Sequence, residues 1–173
     1  MHFWPIALIP KSVPLTEDAI WDAITPLLEP YYIEQEGPAR KEYFSPEEIE
    51  NLRRKIQQPI NSLPELATNL RQEWGLDCKV DEGGLYQMTT LNPNGKYDWC
   101  ALPGMEYIWS VSEMPRDLEP GAVITPDGEW HETRIGKLDY QVIESERQVI
   151  RARAYAIIDS YPNYLAVMVD CHV

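Results

Sequence analysis

The stretch YLAVMV at residues 164–169 is a continuous apolar run of strand length. Because it lacks polar alternation, it predicts a central strand that is buried on both faces of a sheet. The stretch FWPIALI at residues 3–9 has the same character, and Pro5 places the strand's beginning at Ile6 or its first residues on a sheet edge. The sequence therefore predicts that these two segments are neighbours in the middle of one sheet.

Capping residues and helical spacing of apolar side chains predict four helices. The first begins at Thr16 and is expected to kink or end near Ile24, because Pro26 cannot continue a helical hydrogen-bond pattern. Two more begin at Ser45-Pro46-Glu47-Glu48 and Ser62-Leu63-Pro64-Glu65, with Trp74 expected on the apolar side of the second and Gly75 ending it. The fourth is predicted within residues 143–160.

Turn residues predict two hairpins. Strands at residues 86–91 and 96–101 flank Asn92-Pro93-Asn94-Gly95, and strands at 122–125 and 129–133 flank Pro126-Asp127-Gly128. Residues 30–44 have no clean period and are interpreted as an irregular, partly aromatic loop.

This order of elements predicts an α+β fold, with helices packed on a mixed or antiparallel sheet. A ferredoxin-like core with insertions is one candidate topology. The 173 residues correspond to about one domain, and no repeat or linker divides the chain. A single domain over residues 1–173 is therefore expected.

The composition favours a soluble protein of a reducing compartment. The formal charge of −13 repels phosphate backbones, so direct DNA binding is not expected and a protein with a basic surface is the more natural partner. No apolar window reaches the length of a membrane span, and the three widely spaced cysteines do not suit a disulfide framework. These features predict a cytoplasmic location and no membrane partner.

Acidic residues are clustered, with ten acids against two bases between residues 14 and 50. One interpretation is solvated helix faces, and the other is a docking surface for a basic protein. Exposed aromatic side chains are common interface anchors, although most of the tryptophans are expected in the core. The candidate interaction residues are Glu34, Glu36, Glu47, Glu48, Trp99, Trp109 and Trp130.

Polar side chains at predicted strand ends supply a candidate site. The candidate catalytic residues are Asp98, His131, Asp170 and His172, and the candidate metal ligands are Cys100, His131 and His172. A period of two is expected to place Asp98 with Cys100 on one face of a strand, and Asp170 with His172 on a face opposite Cys171. No spacing typical of a metal site occurs, and the alternative is turn residues beside a structural histidine.

Three further features are interpreted as structural. Cys100 and Cys171 lack a cationic or helix N-terminal setting in the sequence, so inert apolar cysteines are expected there. His2 lies beside Met1 and is expected to be frayed. The Gly83-Gly84 pair belongs to no phosphate-binding pattern, so nucleotide binding is unsupported and the sequence leaves open whether there is any cofactor.

Three motifs together resemble a family of uncharacterised bacterial and phage-encoded proteins. They are NPNGKYDW at residues 92–99, PDGEWHE at 126–132 and VDCH at 169–172. In that family the first motif continues into Ile-Gly-Gly-Arg-Trp, whereas this chain has ALPGM at 101–105. The resemblance implies a setting of phages or mobile elements and brings no established activity.

Two functions follow as hypotheses. The first is an acidic binding protein that acts through protein–protein interaction, of the counter-defence inhibitor type. The second is a small metal-dependent hydrolase acting on a nucleotide or nucleic acid, which requires the candidate catalytic side chains to converge. A structural subunit of a larger assembly is a third alternative.

Overall fold

The computed structural model describes residues 2–35, 37–56, 60–134 and 143–173. In this part of the chain the strands are β1 (His2–Phe3), β2 (Pro5–Pro10), β3 (Arg40–Tyr43), β4 (Cys78–Asp81), β5 (Gly84–Thr89), β6 (Trp99–Ala101), β7 (Ile108–Ser110), β8 (Ala122–Ile124), β9 (Trp130–Glu132), β10 (Tyr164–Met168) and β11 (Asp170–His172). The helices are α1 (Glu17–Leu28), α2 (Pro46–Lys55), α3 (Leu63–Trp74) and α4 (Glu144–Ile158). The predicted α+β class is confirmed.

The chain divides into two compact units. The first contains Met1–Gln35 and Asn92–Val173, and the second contains Glu36–Leu91. The second unit is therefore inserted in the sequence between two parts of the first. The expectation of a single domain over residues 1–173 stays a prediction.

A five-stranded mixed sheet lies in the first unit, in the order β7-β10-β2-β8-β9. β10 pairs antiparallel with β2, with Ala166 opposite Leu8, so the predicted adjacency of the two apolar segments is confirmed. β2 pairs in parallel with β8, the first strand of the β8–β9 hairpin. A ferredoxin-like core would place the second strand of that hairpin beside β2, so the observed strand order differs from this candidate topology.

Both faces of the sheet are buried. One face contributes residues such as Ile9 and Val167 to a core that includes Ile24 of α1. The opposite face contributes Leu8 to a core that includes Ile158 of α4. A helix covers each face of the sheet, so the side chains on both faces of the central strands are buried. The sequences of these strands are therefore continuous apolar runs without polar alternation.

The ends of the same two segments form a three-stranded sheet in the order β1-β11-β6. Trp4 alone separates β1 from β2, and Val169 alone separates β10 from β11. At this junction the backbone N–H of Val169 donates to the carbonyl of Pro5 over 3.0 Å. This small sheet positions the candidate site.

The first helix begins as predicted and ends later than predicted. The Thr16 hydroxyl accepts the N–H of Ala19, which confirms the N-cap. Helix α1 continues through Pro26 to Leu28. Proline is tolerated there because it lies in the last turn, where its missing N–H removes a single helical hydrogen bond.

The second unit contains α2, α3 and the sheet β3-β5-β4. Ser45 and Glu48 form both hydrogen bonds of a capping box, which confirms the predicted start of α2. Gly75 follows α3 in a left-handed conformation with a φ of 69°, as predicted. Trp74 is exposed, contrary to its expected position, because it lies in the last turn beyond the buried Leu70.

Two predictions about loops are wrong. Strand β3 lies within the segment interpreted as irregular, and it pairs with β5. The predicted hairpin across residues 92–95 does not form, because β3 and β4 occupy both edges of β5 whereas β6 pairs with β11. The hairpin across residues 126–128 is confirmed by the β8–β9 pairing and by Gly128, whose φ is 83°.

Candidate functional site

One face of the small sheet carries a row of three rings. Across the strands, His2 lies opposite His172, and His172 lies opposite Trp99. Residues directly opposite in an antiparallel sheet share a face, so these rings are neighbours. Phe3, Cys171 and Cys100 form the next row, which faces the core that contains α1.

A carboxylate holds each histidine of the row. His172 Nδ1 lies 2.9 Å from Asp98 Oδ1, and His2 Nδ1 lies 2.9 Å from Asp170 Oδ1. Because an ionised carboxylate only accepts hydrogen bonds, each Nδ1 carries the proton. In the neutral ring Nε2 is then the basic nitrogen, and in the imidazolium it is a proton donor. We call these pairs the two His–Asp dyads.

The two dyads open into one cleft of about 490 Å³, lined by His2, Glu34, Asp98, Trp99 and His172. The centres of the two imidazole rings are 5.2 Å apart, with 69° between their planes. The side chains of His2 and His172 are 56% and 41% exposed. Solvent and a small ligand can therefore reach both rings at once.

Asn92 organises the turn that leads to Asp98. Its side-chain amide donates to the carbonyls of Pro30 and Tyr32 over 2.7 and 3.0 Å, and its side-chain oxygen accepts the N–H of Asn94. A Cβ on Gly95 would lie 2.7 Å from Ile33, so glycine allows this close approach. Residues 92–95, which were predicted to form a hairpin turn, therefore hold the segment that precedes β6 against residues 30–33.

The same attachment places Glu34 at the cleft. Tyr32 forms a parallel β-bridge with Tyr97, and the Tyr32 hydroxyl donates to Glu34 Oε2 over 2.8 Å. This hydrogen bond to a carboxylate raises the pKa of Tyr32, so the phenol stays protonated and continues to donate. Glu34, Asp98 and Asp170 therefore give the surroundings of the two histidines a negative character.

The structure brings together three of the four candidate catalytic residues. Asp98, Asp170 and His172 lie in the two dyads, and the predicted shared face of Asp170 and His172 opposite Cys171 is observed. His131 lies instead on β9, where its Nε2 is 3.7 Å from Glu129. It is absent from the lining of the cleft.

The expected grouping of Asp98 with Cys100 is wrong. Strand β6 begins at Trp99, so the alternation of faces does not extend to Asp98, whose side chain reaches His172. Cys100 packs against the core on the opposite face. The candidate metal ligands Cys100, His131 and His172 therefore do not share one location, and within the described ranges no group of three or more His, Cys, Asp or Glu side chains could hold a metal ion.

The candidate interaction residues are dispersed. Glu34 and the half-exposed Trp99 line the cleft. Trp109 and Trp130 pack partly buried against the two cores of the first unit. Glu47 and Glu48 lie in the first turn of α2 in the second unit, where Glu48 caps the helix, and Glu36 lies outside the described residues.

His2 is the residue of the candidate site that the sequence does not indicate. It was expected to be frayed, yet it belongs to β1 and pairs with His172 across β11. The sequence predicts that the two apolar segments are neighbours, but it gives neither their direction nor their register. In the observed antiparallel register Ile6 lies opposite Met168, and the same register continues to His2 opposite His172.

No family model, no curated protein and no solved structure matches this chain. Among the described residues, no helix is long and apolar enough to span a membrane.

Proposed function

We propose that the cleft with the two His–Asp dyads is the acid–base centre of a small hydrolase. The observation that carries this proposal is that two imidazoles, 5.2 Å apart, each have Nδ1 held by a carboxylate. The hydrogen bond at Nδ1 orients the ring and determines which ring nitrogen carries the proton, as the third member does in other histidine-based sites.

In this mechanism the histidines divide the two proton transfers of hydrolysis. One histidine is the neutral imidazole, and its Nε2 removes a proton from an attacking water. The other histidine is the protonated imidazolium, and its Nε2 gives a proton to the leaving group. Either transfer requires a heavy-atom contact of about 2.6–3.2 Å in the substrate complex. At 5.2 Å the two rings are in edge contact with each other, so a small substrate group would approach both of them from the open side of the cleft.

The charge of the cleft favours a neutral or cationic substrate. Glu34 and the carboxylates of the dyads surround the rings, and the whole chain carries a formal charge of −13. A polyanion is repelled by this field, whereas a cation is attracted. Trp99, half exposed at the edge of the cleft, offers a flat face for an aromatic or cationic group. The nucleic-acid substrate expected from sequence therefore receives less support than a neutral ester or amide.

The test is hydrolysis of a panel of chromogenic esters, amides and phosphodiesters by wild type and matched histidine variants. We expect neutral or cationic esters to be turned over with a bell-shaped pH dependence of kcat/KM, since one base and one acid are required. His172→Gln is expected to lower kcat/KM by about 10²–10⁴-fold.

His131→Gln is the matched control, because His131 lies on β9 and does not line the cleft. We expect it to retain wild-type activity. Equal losses in both variants, or no turnover by wild type across the panel, would contradict the proposal.

A binding function is the second candidate, favoured by Glu34 and Trp99 lying in the same cleft. A carboxylate beside an exposed indole ring suits a lysine or arginine side chain of a basic partner. The setting proposed with it is the cytoplasm of a phage-infected or mobile-element-carrying host, with the protein inhibiting a defence component. The free cysteines and the motif resemblance support this setting.

A further inference from the structure

Two free cysteines face each other behind the dyads. Cys171 of β11 and Cys100 of β6 are register partners, so their side chains share a face of the small sheet. Opposite residues of an antiparallel pair have Cα atoms about 4.5–5.5 Å apart. A disulfide requires about 4.4–6.8 Å, so the spacing of the two strands is compatible with a bridge.

The two thiols have different environments. Hydrogen bonding by the Cys171 thiol, helped by the Tyr97 hydroxyl, lowers the pKa of Cys100 despite burial. The same Cys100–Cys171 hydrogen bond and deeper burial raise the pKa of Cys171. The tertiary structure thus supplies donors that the sequence did not reveal, and it makes Cys100 the more nucleophilic sulfur at neutral pH.

Access to the two thiols also differs. Cys100 lines a pocket of about 200 Å³ together with Trp21, Thr25, Leu28, Glu29, Tyr32 and Tyr97. Cys171 is fully buried beneath it. A reagent in the pocket therefore meets Cys100 first. The aromatic and apolar side chains of the lining, together with the Glu29 carboxylate, favour an aromatic reagent that carries no negative charge.

We infer that Cys100 and Cys171 form a thiol–disulfide exchange site for low-molecular-weight disulfides, with Cys100 as the attacking sulfur and Cys171 as the resolving one. The inference is independent of the hydrolase proposal, because these thiols lie on the face opposite the two His–Asp dyads.

The exchange proceeds in two balanced steps. The Cys100 thiolate attacks one sulfur of the small disulfide, which forms a mixed disulfide on Cys100 and releases the first small thiolate. Cys171 then transfers its proton to the released thiolate and attacks the Cys100 sulfur, which forms the Cys100–Cys171 disulfide, breaks the mixed disulfide and releases the second small thiolate, which takes a proton from water. The protein dithiol is oxidised by two electrons, and the small disulfide is reduced to two thiols.

The experiment uses 4,4′-dithiodipyridine, an aromatic disulfide whose released thiopyridone is measured by absorbance. The background is Cys78→Ala, which leaves only the two thiols of the site. We expect about two equivalents of thiopyridone per native chain and no retained adduct. Adding Cys171→Ala should give about one equivalent and a stable adduct on Cys100, and adding Cys100→Ala should abolish release.

Peptide mapping of oxidised wild-type protein by mass spectrometry keeps the test independent of how these variants fold. A peptide pair joined by a Cys100–Cys171 disulfide is expected. The inference is overturned if native wild type keeps both thiols unmodified, if it reacts only after unfolding in urea, or if the mixed disulfide on Cys100 is never resolved.

Discussion

Thr133 shows what one buried hydroxyl contributes to this fold. It follows β9 and is fully buried, and its hydroxyl donates to the carbonyl of Pro120. The backbone N–H of Thr133 donates to Gly121 over 3.2 Å. Two segments that flank the β8–β9 hairpin are therefore joined by direct hydrogen bonds.

Replacing this hydroxyl by a methyl group should be costly. We expect Thr133→Val to lower the free energy of unfolding by about 1–3 kcal/mol, because the Pro120 carbonyl loses its partner in a buried place. Urea denaturation measures the change. The control is Thr68→Val, whose exposed hydroxyl donates to Pro64 within α3 and whose loss should cost less than about 0.5 kcal/mol. Equal effects would contradict the argument.

At the scale of elements, two helices carry proline in different positions. Pro26 is exposed in the last turn of α1, where a residue with an N–H would donate to the carbonyl of Asp22. Pro46 is the first residue of α2, where the N–H has no partner within the helix. The same residue therefore opposes one helix and suits the other.

This difference predicts opposite outcomes for the same substitution. Pro26→Ala should raise the free energy of unfolding by about 2 kcal/mol. Alanine has a higher helix propensity than proline, and this gain exceeds the loss that comes from a more flexible unfolded chain. Pro46→Ala should leave the free energy of unfolding unchanged or lower it slightly. Thermal and urea unfolding of both variants check this, and a stability loss in Pro26→Ala would show that its ring makes a needed contact.

At the scale of the whole molecule, the excess of acidic residues determines the electrostatic interaction with charged partners. A formal charge of −13 attracts basic partners from outside the range of direct contact, and salt at physiological strength limits that range to about 8 Å. General attraction raises the association rate, whereas a defined docking site requires particular residues. Glu34 lies in the cleft and Glu113 lies outside it, so substitutions at these two positions distinguish general attraction from a defined docking site.

A labelled arginine-rich peptide is the probe for the binding function. Glu34→Lys and Glu113→Lys change the net charge equally, so general attraction predicts equal losses of affinity. If the cleft docks the basic side chains, Glu34→Lys and Trp99→Ala should weaken binding by about tenfold or more, as expected for a central anchor, and Glu113→Lys much less. Fluorescence anisotropy at two salt concentrations measures this, and equal losses would reduce the interaction to net charge.

The sequence by itself determined features that are encoded within a few residues. Caps at Thr16, Ser45 and Ser62 set the starts of three helices, and the glycine of residues 126–128 set a hairpin turn. Unbroken apolar character in two segments was enough to place them at the centre of a sheet. Each signal depends on local geometry or on burial, which side-chain chemistry reports directly.

Only the tertiary structure decided the site. The His2–Asp170 hydrogen bond joins residues 168 positions apart, and Asp98 reaches His172 because the 92–95 turn attaches to residues 30–33 rather than closing a hairpin. Polar pairs across strands leave no periodic trace in the sequence, since either partner alone resembles a solvated residue. Strand pairing selected His2 and excluded His131 and Cys100, because it alone determines which side chains share a face.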